Sequence, residues 1–427
     1  MSRSALFIAS LCVALVASMA PANAGMFDAL DSFQKPNMHY GPVDVHPYLR
    51  YTETYDSNIF LQPDSHVAGQ NANNNTAGPV LGSWINTLGL GFTSSVALAE
   101  MHKLDLAYDL AYKAYTKDPS NNNTVNQDAG VLYTYTGPMG MSGHARDSYM
   151  NTVDPATSEQ VKRTPRWENM LGVDGQYAPE GGMLSFGVDA GQTTDKYVSD
   201  PVLGAQLNRY AQLFGFKVGY QVMPKTRAYV AYHRQLTHFT AHPGATSKDN
   251  KAHLVDFGVE GRIAPKLTGQ IQTGLQYRQY DEAAFAGASK TTRNWMIATK
   301  LTYKPIERTM IDLNLSRALV DSTFGNSQFY IATSAMLDVK HQLPYKLTAG
   351  VNLGLESDKY AQSAVINGAS VQRRDDIDQI GASLDYNIQE WLKAGLSYAY
   401  RTRFSKDASE QFNYTDSITS VSLGVTF

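Results

Sequence analysis

Three constellations in this 427-residue chain have residue types that could do chemistry. Asp105 and Asp109 share one side of an alternating stretch, and paired carboxylates are what glycoside hydrolysis needs. Four residues of extended chain set them ~13 Å apart, too far for a retaining or an inverting pair. His233, His238 and His242 could converge on a metal ion, but loop histidines at irregular spacing are ordinarily solvated, and no metal site is expected. Arg373-Arg374-Asp375-Asp376 reads as a solvated loop, with a ligand-gripping mouth as the alternative. No G-x-S-x-G, H-E-x-x-H, Walker loop or dinucleotide-binding glycine motif is present. Neither an enzyme nor a cofactor is expected.

A larger polar set is defined by alternation. In residues 103 to 115, Leu104, Leu106, Tyr108, Leu110 and Tyr112 oppose Asp105, Ala107, Asp109, Ala111 and Lys113. Leu347, Ala349, Val351, Leu353 and Leu355 oppose Asn352, Glu356 and Asp358, and Leu184, Phe186 and Val188 oppose Ser185 and Asp189. Side chains of an extended chain point to opposite faces in turn, so each stretch is a strand with one apolar and one polar face. The polar faces carry Asp105, Asp109, Asp189, Asp312, Glu356, Asp358 and Asp385. Lys113, Lys217, Arg278, Lys300, Lys393 and Arg401 share them, with Gln270, Gln272 and Gln276. Such strands run to about a dozen residues, enough for a tilted membrane strand of ~9 to 11.

Short turns punctuate the strands. They fall at Glu100-Met101-His102, Pro138, Pro179-Glu180-Gly181, Pro224-Lys225, Pro265-Lys266, Pro305-Ile306, Pro344-Tyr345 and Gln389-Glu390, 38 to 46 residues apart. Each interval holds two strand-like segments around a polar stretch, that is, a hairpin with a short turn at one end and a longer loop at the other. A β-propeller also repeats every ~40 to 45 residues, but a blade holds four short strands rather than two long ones. Eight turns, a first strand at 45 to 55 and a last strand give 18 strands, or 16 if the weakly patterned 139 to 152 is not one. An even count is expected of a single-chain bacterial barrel.

The chain ends agree. Arg3, an apolar run from Ala5 to Ala20 and Ala22-Asn23-Ala24 form a signal peptide over residues 1–24, which also holds the single cysteine, Cys12. Residues 25–44 form a periplasmic segment in which Phe27, Leu30 and Phe33 offer one or two amphipathic helical turns, or disorder. Residues 45–427 form the barrel. Its last strand alternates Val421, Leu423, Val425 and Phe427 with Ser422, Gly424 and Thr426. A terminal Phe after such a strand resembles the insertion signal of outer-membrane barrels. The net charge of −3 and mean hydropathy of −0.31 give no basic face for nucleic acid and no apolar helix long enough to span.

Tyr51-Thr52-Glu53-Thr54-Tyr55-Asp56-Ser57-Asn58-Ile59-Phe60 resembles the Y-D-x-N-(I/V)-F element of the putative β-barrel porin 2 group of outer-membrane proteins. Here it reads as structural: Tyr55 anchors at the interface while Asp56, Ser57 and Asn58 turn the chain. The resemblance implies an all-β, transmembrane, antiparallel up-and-down barrel in the outer membrane, associated with exopolysaccharide systems. Outer-membrane lipid and the barrel-assembly machinery are the expected partners, and polysaccharide or a small solute the expected cargo; oligomeric state is left open. A nutrient porin and a plugged structural or adhesion barrel are the alternatives. Trp84, Trp167 and Trp295 open strands at the long-loop end. Tyr112, Tyr115, Tyr197, Tyr277, Tyr280, Tyr360, Tyr398 and Tyr400 lie near that level and suggest an aromatic girdle. Tyr115 or Tyr280 turned inward would instead offer a sugar platform. Eighteen strands enclose an aqueous channel unless loops fill it.

Overall fold

The computed structural model describes residues 38–63, 80–159, 163–240, 247–283, 288–322, 327–366, 369–406 and 412–427. The signal peptide and Phe27, Leu30 and Phe33 lie outside these residues. Eighteen strands form the wall. The first nine are β1 (Val43–Asp56), β2 (Ser83–Ala99), β3 (His102–Tyr115), β4 (Thr124–Thr136), β5 (Met141–Thr152), β6 (Arg166–Tyr177), β7 (Leu184–Tyr197), β8 (Arg209–Met223) and β9 (Thr226–Phe239). The second nine are β10 (Asn250–Ala264), β11 (Leu267–Tyr280), β12 (Thr291–Tyr303), β13 (Thr309–Asp321), β14 (Phe329–Gln342), β15 (Leu347–Tyr360), β16 (Arg374–Gln389), β17 (Leu392–Ser405) and β18 (Tyr414–Thr426). Residues 139 to 152 do supply a strand, so the larger count holds.

Every strand pairs antiparallel with its neighbours in sequence, and β18 pairs with β1 from Tyr48↔Thr426 to Asp56↔Ile418, closing the ring. Closure leaves no free edge, which is what allows a sheet to stand in hydrocarbon. The eight short turns lie where the sequence places them. Met38–Tyr40 folds back on the start of β1, so paired structure begins before residue 45. The Asx turn forms as expected: Asn58 N donates to Asp56 Oδ1 at 2.9 Å, and the Asn58 side chain joins Gln62 to the Thr415 carbonyl.

Val351, Leu353, Leu355, Phe186, Val188, Val421 and Leu423 are exposed on the outside, and the polar residues between them point inward. The girdle is a half-correct expectation. Trp84, Trp295, Tyr112, Tyr277, Tyr398 and Tyr400 are exposed outside, whereas Tyr115, Tyr197, Tyr280 and Tyr360 are buried inside the barrel. Each of these four shares parity with inward polar residues of its own strand, and parity outranks height.

The wall is irregular at one place. β12 and β13 pair over seven residue pairs, Ile297↔Arg317 to Tyr303↔Ile311, whereas other neighbours share nine to fourteen. Beyond that point β12 still follows β11 and β13 still follows β14. Leu319, Asp321 and Phe329 have outward parity, yet Asp321 pairs with the inward Arg209 and Arg278, and Leu319 and Phe329 pack with the inward Tyr280. The tips of β13 and β14 therefore step out of the wall into the lumen.

Candidate functional site

The inner face of the barrel is the candidate site. Towards the short turns its polar residues meet water: Lys300 and Asp385 are exposed there. Deeper in, they pair with each other. Tyr48 donates to Asp109 at 2.8 Å, with Arg50 beside it; nearer the short turns, Thr302 donates to Asp312 at 2.5 Å. Lys217 contacts Glu260 at 2.5 Å and lies 4.0 Å above the Tyr229 ring, whose hydroxyl joins Gln270 and Gln272. His233 is placed by β9 between Asp189 at 3.5 Å and Asp256 at 3.1 Å. That overturns its reading as a loop histidine; its odd parity with Tyr229 and Ala231 was the available signal. His238 pairs with Asp249, and His242 lies outside the described residues. Among the described residues no group of side chains is arranged to hold a metal ion.

The long-loop end is filled rather than open. After β5 the chain turns into the lumen, and Asp154 is held on the near side by Lys113 at 3.0 Å. On the far side Ser158 donates to Asp358 at 2.7 Å, Arg403 donates to the Ser158 carbonyl at 3.2 Å, and Ser322 donates to Glu159 at 2.6 Å. β5 and β15 stand on opposite sides of the ring, so this stretch is a strap across it. Burial raises the Asp154 pKa, but Lys113 and Arg163 outweigh it and hold the carboxyl below its usual 3.8. Glu356 lies buried beside the strap's far anchor, against Ser158 and Asp358.

Arginine and aromatic rings complete the outer layer. Arg373 pairs with Asp375 at 2.5 Å and lies 3.6 Å over Phe412 and 4.7 Å over Tyr360. This corrects the solvated-loop reading of 373 to 376 for its first and third members; Arg374 and Asp376 pair outside the wall. Arg278 reaches Asp321, and Arg401 reaches Asp416 at 3.5 Å. Of the remaining inward positions, Asp105 pairs with Lys103, Gln276 is buried beside Asn294, and Lys393 faces inward near the β16–β17 turn. The arrangement offers hydrogen-bonding groups of both signs along the inner face of the barrel.

The family model for putative beta-barrel porin 2 matches residues 99–427. The chain belongs to this family. The Tyr51–Phe60 element lies before the matched residues. No curated protein sequence matches. Among solved structures, the chain is similar to the siderophore receptor PirA from Acinetobacter baumannii at 8% identity, covering 90% of this chain and 80% of that one, with a TM-score of 0.43. PirA from Pseudomonas aeruginosa is similar at 8% identity with the same coverage and a TM-score of 0.42. A bacterial polysaccharide outer membrane secretin is similar at 12% identity, covering 89% of this chain and 98% of that one, with a TM-score of 0.34. As a member of this family the protein is an outer-membrane barrel.

Proposed function

We propose that this porin-family barrel is a conduit for hydrophilic solute, with saccharide as its cargo and no catalytic step of its own. The supporting observation is the continuous inward polar face. Asp, Lys and Arg alternate in sign around it, and the Gln270–Gln272–Tyr229 cluster offers donors and acceptors suited to hydroxyl-rich molecules. Charges that already neutralise each other exert little net selectivity on small ions. The strap sets the narrowest level. On this reading the leader is removed in the periplasm, assembly uses the barrel-assembly machinery with Phe427 as its signal, and the outer girdle meets lipid.

The test is conductance of the purified, folded protein in a planar bilayer. A small current of weak ion selectivity is expected, reduced by neutral oligosaccharide in the bath. Ser158→Ala with Ser322→Ala removes two tethers of the strap without adding bulk, and the current should rise. The filled outer layer favours one competing reading, a closed structural barrel. Silence of both proteins would establish that reading instead. A current that no saccharide reduces would leave a general nutrient porin.

A further inference from the structure

Inward arginines meet carboxylates, as Arg166 meets Glu168, Arg209 meets Asp195 and Arg278 meets Asp321. Over half of the ring, the outward cations do not. From β7 to β15 the outward side of the strands carries Lys196, Arg234, Lys251, Arg293, Arg317 and Lys359. It carries no carboxylate there except Asp321, which turns inward. The outward carboxylates Glu53, Asp147, Asp376 and Asp378 all lie on the other half, where Arg374 and Lys406 both pair with Asp376.

The arginines of the basic arc rest on rings instead. Arg293 lies 5.7 Å over Tyr277, Arg317 lies 4.5 Å over Trp295, and Arg234 is joined to the His253 ring at 3.0 Å. Arg317 donates besides only to the neutral Thr333 and Asn294, and its buried Nε has no partner. Among the described residues, no carboxylate pairs with any of the six cations. A ring face orients a guanidinium without neutralising it, so the positive charge is left for an anion from outside. All six cations stand within five residues of the outer ends of their strands. That is headgroup depth, where long cationic side chains reach the interface.

The wall is dented beneath this charge. β12 and β13 part above the Ile297↔Arg317 pair, and an outward-facing hollow of about 460 Å³ lies there, with Ile297, Leu315, Ala335 and Leu355 along its lower part. An apolar hollow that faces hydrocarbon fills with acyl chain. Arg293 stands two residues above Trp295 on the same side of β12, ~7 Å along the strand, so two guanidinium groups flank the ring at the head of the hollow. Guanidinium forks match phosphate oxygens two at a time. Asp376 and Asp378 form the far rim, and their charge sets a phosphate on the β12–β13 side.

We propose that this arc is a docking site for a phosphorylated acyl lipid of the outer leaflet, with an acyl chain in the hollow and the phosphate between Arg293 and Arg317. The site lies on the outer side of the wall and does not depend on what passes through the barrel.

The folded barrel in phosphatidylcholine vesicles, with a trace of phosphatidic acid or of phosphatidylcholine bearing a diazirine in its acyl chain, supplies the test after photolysis and peptide mapping. The phosphatidic acid probe should label Leu315 and Leu355 several-fold more than Leu88 and Leu171, which are exposed at similar depth on the other half of the ring. The phosphatidylcholine probe should show no such preference. Arg293→Gln with Arg317→Gln should bring Leu315 down to the level of Leu88. Arg293→Gln alone, at an exposed side chain, should give part of that loss, and heat-modifiable migration verifies that each variant is folded. Inorganic phosphate should leave the pattern unchanged; competition by it would show a site for the anion alone and overturn the lipid. Even labelling of all four leucines, or a preference that the double variant keeps, would overturn the site. Loss of the Leu315 label at high protein density, with cross-linked dimers, would assign the arc to a second copy of the chain and overturn it as well.

Discussion

Arg373 and Asp375 are about as deeply buried as any charges in the described residues, at 1% and 0% side-chain exposure. Removing Arg373 leaves Asp375 only the Ser405 hydroxyl and the nearby Arg403 in a dry site, a loss of up to ~3–5 kcal/mol for breaking a buried pair. Arg373→Met should therefore lower the urea midpoint of unfolding by a corresponding amount, and Arg373→Met with Asp375→Leu should recover much of it. A second expectation follows from Asp154. Its folded pKa lies below the usual 3.8, so the anchor it gives the strap is present above that value and is lost as pH falls through the lower folded value. Conductance of the wild type should rise below about pH 4, the range of an ordinary carboxylate, and Asp154→Asn should show the raised level at neutral pH; a flat profile in the wild type would sever the strap from the titration. Which side a charge faces was legible in the sequence where the strand stays in the wall, because parity needs no partner to be read; Asp321, of outward parity yet paired with the inward Arg209 and Arg278, is the exception. Pairing was not. Lys113 and Asp154 are brought together by a chain reversal, and Ser158 and Asp358 by a crossing of the whole ring. The buried tyrosines were legible in principle, since Tyr115 has the parity of Lys113 and Tyr360 that of Asp358.

At the scale of the strand, the lipid face is the strongest constraint. Val351 and Leu353 are 47% and 42% exposed on β15, with the inward Asn352 between them. Val351→Arg or Leu353→Arg should cost ~2–4 kcal/mol at mid-membrane depth and reduce heat-modifiable protein in the membrane, while Asn352→Arg should be tolerated. Equal yields of all three would refute the assignment of faces. Strands and short turns were legible because each is a local pattern: alternation for one, Pro, Gly and Asn chemistry for the other. The strap and the step in β13 and β14 were not. Residues 153 to 165 have the composition of any polar connection, and β13 keeps its alternation through the point at which it leaves the wall. What redirects them are ion pairs such as Asp321 with Arg209 and Arg278, made far away in sequence.

For the molecule as a whole, the strand count followed from the period of the turns, and closure from the alternating last strand. Phe427 ends that strand, half exposed, with its N–H donating to the Pro47 carbonyl at 2.9 Å. Phe427→Ser should leave periplasmic, protease-sensitive protein, whereas normal levels of heat-modifiable barrel would deny the terminal ring its role as a signal. The joining of β18 to β1 also orders events in time. Tyr48 finds its partner in Thr426, 378 residues further along the chain. Every shorter chain, whether nascent, truncated or clipped, has two raw edges and nowhere to bury them, and loop closure over nearly the entire polypeptide must precede the reward of the final ladder. Birth of this barrel is thus all-or-none: a chain missing its last dozen residues should be cleared by proteases, and none of it should persist as a smaller ring.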